Sequence, residues 1–332
     1  RSQGLKMDKP YSLVVLGGGS GCFSILRGLK KFSSLATITS IFTIADDGGS
    51  SGVLRSEFGI LPPGDLRSHI AALSESSKKM VELLNFRFKD SPSVKDHSLG
   101  NLIYTALAKI TGSDEGAIRE MNNIFQTNES LVLPASLDKV KLIAEYENGI
   151  SLRGETNIDN LNSNKHGAIT KVHLEPEATA YLPTVEVLKR ATHIILSAGD
   201  LYTSIVPILL VNNIPEAIRD SNAKIIYVSN LMTKMGETDN FKTENFIEIL
   251  NKYLKYKKVD CVIVNKKTPS EELIKEYKEE GSEIVTYSKD SLNNLGTKVI
   301  EENLILEKEI LRHNPKNTAL AIIKYVLDSS TS

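Results

Sequence analysis

The chain has no tryptophan, only two cysteines and almost no excess of either charge. Each shortage removes a class of protein. Cys22 and Cys261 lie far apart in apolar surroundings, which excludes a disulfide scaffold and predicts two buried thiols of a reducing compartment. No stretch approaches the roughly 18 consecutive apolar residues of a membrane span, and no signal-peptide pattern opens the chain. A cytoplasmic protein is expected. With 40 basic against 41 acidic residues the formal net charge is -1, so nothing draws in nucleic acid or an anionic membrane surface. Phosphate recognition, if present, has to be local. His97 and His313 have no Cys or carboxylate companions at metal-site spacing, so no zinc motif is present.

What the chain does have is a repeated pattern of apolar strand, glycine turn and helix. Residues 12–16 read as a buried strand that runs into Gly17-Gly18-Gly19-Ser20-Gly21 and a helix over 21–31. A β-branched strand over 36–45 ends in Asp46-Asp47-Gly48-Gly49-Ser50-Ser51-Gly52. The turn Leu61-Pro62-Pro63-Gly64-Asp65-Leu66-Arg67 then leads into a helical block over 67–74, 78–86, 98–111 and 113–125. Short strands at 132–134, 140–147, 151–154 and 169–174, with an Asn148-Gly149 turn, predict a β-rich insertion at about 130–176. Strand–helix alternation then resumes: helix 183–190, strand 193–197, helix 206–211, strand 224–229, helix 245–256, strand 259–265, helix 270–280, strand 283–286 and a closing helix 318–327. The expected architecture is one α/β domain over residues 8–328, a doubly wound and mostly parallel sheet. Residues 1–7 read as an extension.

Neither familiar glycine motif fits. Gly17–Gly21 matches the first two glycines of a dinucleotide fingerprint, but Cys22 stands at the third and no acid follows at the ribose position. A P-loop is excluded because no Lys-Ser or Lys-Thr follows the glycines. The glycine-led helix start still offers backbone N–H groups to an anion. Asp46 and Asp47 can hold a divalent cation such as Mg²⁺, or accept hydroxyls of a ribose or sugar. No Ser/His/Asp, Cys/His or lysine constellation identifies a nucleophile and base.

Taken in order, Gly17–Gly21, Ala45–Gly52, Leu61–Arg67, His97-Ser98-Leu99-Gly100-Asn101, Leu201-Tyr202-Thr203-Ser204 and Asn230-Leu231-Met232-Thr233 resemble the YvcK/CofD family. Gly236-Glu237-Thr238-Asp239 and Arg312-His313-Asn314-Pro315 lean towards its YvcK branch. The resemblance implies a Rossmann-like sheet with a nucleotide-type ligand. For the YvcK branch it implies a regulatory protein that binds UDP-sugars, notably UDP-N-acetylglucosamine, and acts in cell shape and gluconeogenic growth. The CofD branch implies a Mg²⁺-dependent transferase that moves a phospholactyl group from a guanosine diphosphate donor. A third alternative is an interaction protein that has lost its ligand. On this reading Gly18, Gly19 and Ser20 donate N–H groups to the diphosphate, with Gly48 and Gly199 in the facing turns. Leu201, Tyr202, Thr203 and Ser204 form a phosphate or ribose wall. Asn101 reaches a ligand oxygen or faces solvent; Asn230 and Thr233 meet a uracil or ribose edge or cap a loop. Tyr277 stacks on the base or packs in the core, and Arg312 clamps the diphosphate. One departure from the family stands out: Ser197-Ala198-Gly199-Asp200 replaces a usual Gly-Pro-Gly-Ser and brings a negative charge towards the phosphates. A homo-oligomer is compatible with the sequence.

Overall fold

The computed structural model describes residues 9–89, 94–159, 167–307 and 310–330. Its strands are β1 (Tyr11–Leu16), β2 (Ala36–Phe42), β3 (Leu131–Pro134), β4 (Lys141–Tyr146), β5 (Ser151–Arg153), β6 (Ile169–Glu175), β7 (His193–Leu196), β8 (Lys224–Val228), β9 (Cys261–Asn265), β10 (Lys298–Glu302), β11 (Ile305–Glu307) and β12 (Leu311–His313). Seven of them form one parallel sheet in the order β10-β9-β8-β7-β1-β2-β3. The fold is α/β and Rossmann-like. Leu13, Val14, Val15 and Leu16 of β1 and Ile194, Ile195 and Leu196 of β7 are fully buried, as continuous apolar runs in a parallel sheet covered on both faces should be. Strand order reverses between β1 and β7. In an open sheet that reversal leaves a crevice beyond the carboxyl ends, where ligands bind. Both glycine turns open there.

Three local readings change. Residues 132–134, expected in the insertion, form β3 at the edge of the main sheet, paired with β2. A four-residue apolar run cannot show which sheet it joins. The insertion's own sheet is the antiparallel β5-β4-β6, with Gly149 at positive φ closing the β4–β5 hairpin. Residues 283–286, expected as a strand, contribute only a bridge between Ile284 and Met232. The sheet's last strand is instead β10, overlooked because Lys-Val-Ile-Glu-Glu reads as polar. An edge strand tolerates such charge, which also blunts edge-to-edge association.

The first three helices are α1 (Gly19–Leu29), α2 (Gly49–Phe58) and α3 (Pro63–Leu73). Helix α3 begins four residues earlier than its apolar pattern suggests, with Pro63 at a first-turn position where a missing N–H costs nothing. Cys22 and Cys261 are both buried and free. Among the described residues no helix is long and apolar enough to cross a membrane.

Candidate functional site

The turn after β1 and the turn after β7 are packed directly on each other. Gly17 has φ +145°, and a Cβ there would meet Ser197 Oγ at 1.9 Å. A Cβ on Gly21 would meet the Ala198 carbonyl oxygen at 2.3 Å. The glycines are therefore required for the two turns to approach, whatever they bind.

Helix α1 starts here without a side-chain cap of its own. Asp65, from α3, supplies one: its Oδ1 accepts the Gly19 N–H at 3.0 Å. A carboxylate of the protein thus stands at the anion-seeking helix start. Burial, then the neighbouring Asp46 charge, push the Asp65 carboxyl up to about 7. The expected aspartate pair divides. Asp46 accepts the Gly48 N–H at 2.8 Å and lines a cavity with Asp65. Desolvation raises its pKa. Asp47 turns away and accepts the Thr156 N–H at 2.9 Å and its hydroxyl at 3.0 Å, tying the insertion to the sheet. Asn101 is buried rather than solvent-facing, and donates to Ser50 Oγ at 3.0 Å. Ser50 also meets His97 Nδ1 at 2.8 Å.

Across the crevice, Asp200 is met by a cation. Lys234 Nζ lies 2.7 Å from Asp200 Oδ2, 2.7 Å from Asp159 Oδ1 and 2.8 Å from Glu237 Oε1. Burial alone would lower the ammonium's pKa, but the three carboxylates hold it above its usual value. Desolvation still prevails at Glu237, whose carboxyl is pushed up to about 8 against the pull of Lys234. Leu201, Tyr202, Thr203 and Ser204 form a buried π-turn, its backbone N–H groups of Ser204 and Ile205 bonded to the Asp200 carbonyl. The Thr203 hydroxyl is fully buried and meets no partner among the described residues.

Two adjoining cavities result. The smaller, about 250 Å³, is lined by Ser20, Gly21, Leu201, Asn230, Thr233, Tyr277 and Arg312 among others. The larger, about 600 Å³, is lined by Gly19, Ser20, Arg27, Asp46, Asp65, Arg67 and Arg312 among others. Ser20, Arg312 and His313 belong to both. Gly18, Asp47, Gly48, Asn101, Gly199, Tyr202, Thr203 and Ser204 line neither cavity. Asn230 braces the turn, donating to the Gly199 carbonyl at 3.0 Å while accepting from Tyr227 at 2.7 Å. Thr233 pins the neighbouring segment through both its N–H and hydroxyl to Glu283. Tyr277 holds β12 by accepting the Leu311 N–H at 3.1 Å, and leaves the exposed Arg312 facing the cavities. His313, next to it, is neutral: burial lowers its pKa to about 4 and its Nε2 donates to the Ser229 carbonyl at 3.0 Å.

Sequence reasoning missed Asp65, Lys234, Arg27 and Arg67 as site residues. Asp65 and Arg67 sat inside a noted motif, and Lys234 lies three residues before Glu237. No spacing rule links them to residues elsewhere in the chain that they meet only in the fold.

The family model for 2-phospho-L-lactate transferase CofD matches residues 13–305. A gluconeogenesis factor of Bacillus subtilis is 36% identical over 96% of this chain and 98% of its own length. One from Halalkalibacterium halodurans is 37% identical over 95% and 97%, respectively. A crystal structure of a UPF0052-family protein from Bacillus halodurans superposes with a TM-score of 0.88 at 36% identity, covering 94% of this chain and 99% of that one.

Proposed function

Because the chain belongs to the CofD family and is similar throughout to its YvcK-type gluconeogenesis factors, we propose that it binds a UDP-sugar, such as UDP-N-acetylglucosamine, as a regulatory protein. One observation carries this reading: two cavities at the sheet's reversal meet at Ser20 and Arg312. The nucleoside enters the smaller, beside Asn230, Thr233 and Tyr277. The diphosphate lies across the junction, where the α1 start and the Arg312 guanidinium serve it. The sugar extends into the larger cavity, where Asp46 and Asp65 accept its hydroxyls. Lys234 offsets Asp200, so the turn that departs from the family pattern need not repel the phosphates. A role in gluconeogenic growth and cell shape, in the cytoplasm, is part of the same proposal.

Calorimetry tests it. UDP and UDP-N-acetylglucosamine should release heat at millimolar concentration or below, and GDP much less. Arg312→Ala should weaken binding by roughly 1.5–3 kcal/mol, the range for hydrogen bonds to charged groups. An Arg312→Ala protein that binds like the parent would move the diphosphate elsewhere.

A second reading is a Mg²⁺-dependent transferase of the CofD type. It is favoured by two carboxylates, Asp46 and Asp65, that line one cavity, where burial and then the Asp46 charge raise the pKa of Asp65. They suit a divalent cation, which would supply charge neutralisation to a diphosphate; Asp47, held by Thr156, does not share the site. Mg²⁺-dependent turnover of a guanosine diphosphate donor would establish this reading over the first.

A further inference from the structure

The diphosphate of a UDP-sugar carries negative charge on each phosphate, and two cationic side chains, Arg312 and Lys234, line the smaller cavity. Arg312 is exposed and ready to receive one phosphate. Lys234 is already engaged. It donates to Asp159 Oδ1 and to Asp200 Oδ2, both at 2.7 Å, and its Nζ lies 2.8 Å from Glu237 Oε1. The three acids do not hold it equally. The Glu237 side chain is wholly buried, so the ammonium cannot leave it without stranding a buried carboxyl. Yet neither Glu237 oxygen has a hydrogen-bond partner among the described residues, although the residue lines the smaller cavity. Asp200 lines that cavity too. Asp159 lines neither cavity and is partly exposed, so water takes over its carboxylate at little cost. Its bond to Lys234 is the one most easily exchanged. Asp159 also ends the short helix Glu155–Asp159 of the insertion, which straps the two halves of the site together. Thr156, near the start of that helix, is bonded to Asp47, and Asp159 at its end holds Lys234.

We propose that Lys234 is a second phosphate-binding residue, which exchanges Asp159 for a phosphate of the ligand while keeping Glu237 and Asp200, and so frees the Asp159 end of the strap. A charge-assisted bond to a phosphate inside the cavity outweighs one to a carboxylate that water also reaches. Turning towards the phosphate also lets the ammonium direct an N–H at the buried Glu237 carboxyl, which lacks a hydrogen bond at rest. Occupancy of the cavity thereby becomes a change in the insertion, which is what a regulatory protein needs. The inference rests on the nucleoside-diphosphate reading of the site and adds to it the route by which the bound state is passed on.

Hydrogen exchange and calorimetry on the full chain with UDP test it. Saturation with UDP should quicken exchange of the backbone amides of residues 156–159 by about threefold or more. Asp159→Asn, at an exposed position, should bind UDP about two- to fivefold more tightly than the parent, because no ion pair has to be broken first. In that variant the same amides should exchange quickly with or without UDP. In a Lys234→Gln background Asp159→Asn should bring no gain, whereas a mere field effect of the lost charge would persist there. If Lys234→Gln does not fold, the exchange rates of the parent and Asp159→Asn decide. UDP binding that leaves the 156–159 amides unchanged or slower, or unchanged UDP affinity in Asp159→Asn, would overturn the inference and leave the nucleotide reading intact. Failure of both proteins to bind UDP would instead overturn the nucleotide reading itself, and this inference with it.

Discussion

The two glycine turns packed on each other at the crevice handle an acidic residue in opposite ways. At the turn after β1 the acid comes from α3: Asp65 caps the Gly19 N–H and has no cation within ion-pair distance among the described residues. At the turn after β7 the acid is part of the turn itself, and Lys234 binds Asp200 together with Asp159 and Glu237. Both turns read as phosphate cradles in sequence. In three dimensions, one has its Gly19 N–H capped by the Asp65 carboxyl, which burial pushes up to about 7, and the other is an ionic hub that also anchors the insertion. A glycine-rich turn therefore states where a backbone can approach closely, and the residues brought to it from elsewhere decide what charge it presents.

The largest effect should come from opening the hub. Lys234→Ala leaves the buried Glu237 and the partly exposed Asp159 and Asp200 without their shared cation, and should destabilise the fold by about 2–3 kcal/mol, the upper part of the range for hydrogen bonds to charged groups. Urea denaturation would measure it; a loss below about 1 kcal/mol would mean the hub is a solvated surface cluster.

Next is the uncompensated side. The folded-state pKa of Asp65 lies above the unfolded one, so the folded protein binds more protons between about pH 4 and 7 and loses stability as pH rises through that window. Asp65→Asn should flatten that slope and gain on the order of 1–2 kcal/mol relative to the parent at pH 7.5 compared with pH 4.5. Parallel stability–pH curves for the two proteins would show that Asp65 is well solvated.

Asp200→Ser should act more weakly on ligand. Lys234 already offsets that charge, so UDP affinity should change by less than about 1 kcal/mol, in the direction of tighter binding. A tenfold gain would show that the ammonium does not screen it. The smallest effect is expected at Thr203→Val. The buried hydroxyl has no partner among the described residues, so its removal should be neutral or slightly stabilising, within about 1 kcal/mol. A marked loss of UDP affinity in this variant would reveal a hydroxyl that turns towards ligand.

Much of the scaffold was legible. Strands β1, β7, β8 and β9 are nearly continuous apolar runs and β2 is β-branched, and in a parallel sheet such runs have few alternatives. Since parallel strands point their carboxyl ends the same way, the shared position of the two turns followed as well. Less legible were β3, too short for its pattern to select a sheet, and β10, whose glutamates are permitted only by its edge position. Leucine and valine runs report burial; they do not report partners. The site was legible to the extent that it lies on these strand ends, as with Ser20 and Asp46. Arg312 was found only through its Arg-His-Asn-Pro context, and its setting depends on the β11–β12 hairpin and on Tyr277.

By itself, then, the sequence determined a doubly wound α/β sheet with glycine turns at its carboxyl edge, because strand composition and backbone freedom are local properties. Tertiary structure alone decided the electrostatics of those turns. Asp65 reaches Gly19 from another helix, Lys234 gathers acids from three segments, and three arginines with no acidic partner among the described residues line one cavity. Charge acts through space over a few ångströms, and distance along the chain carries no record of it.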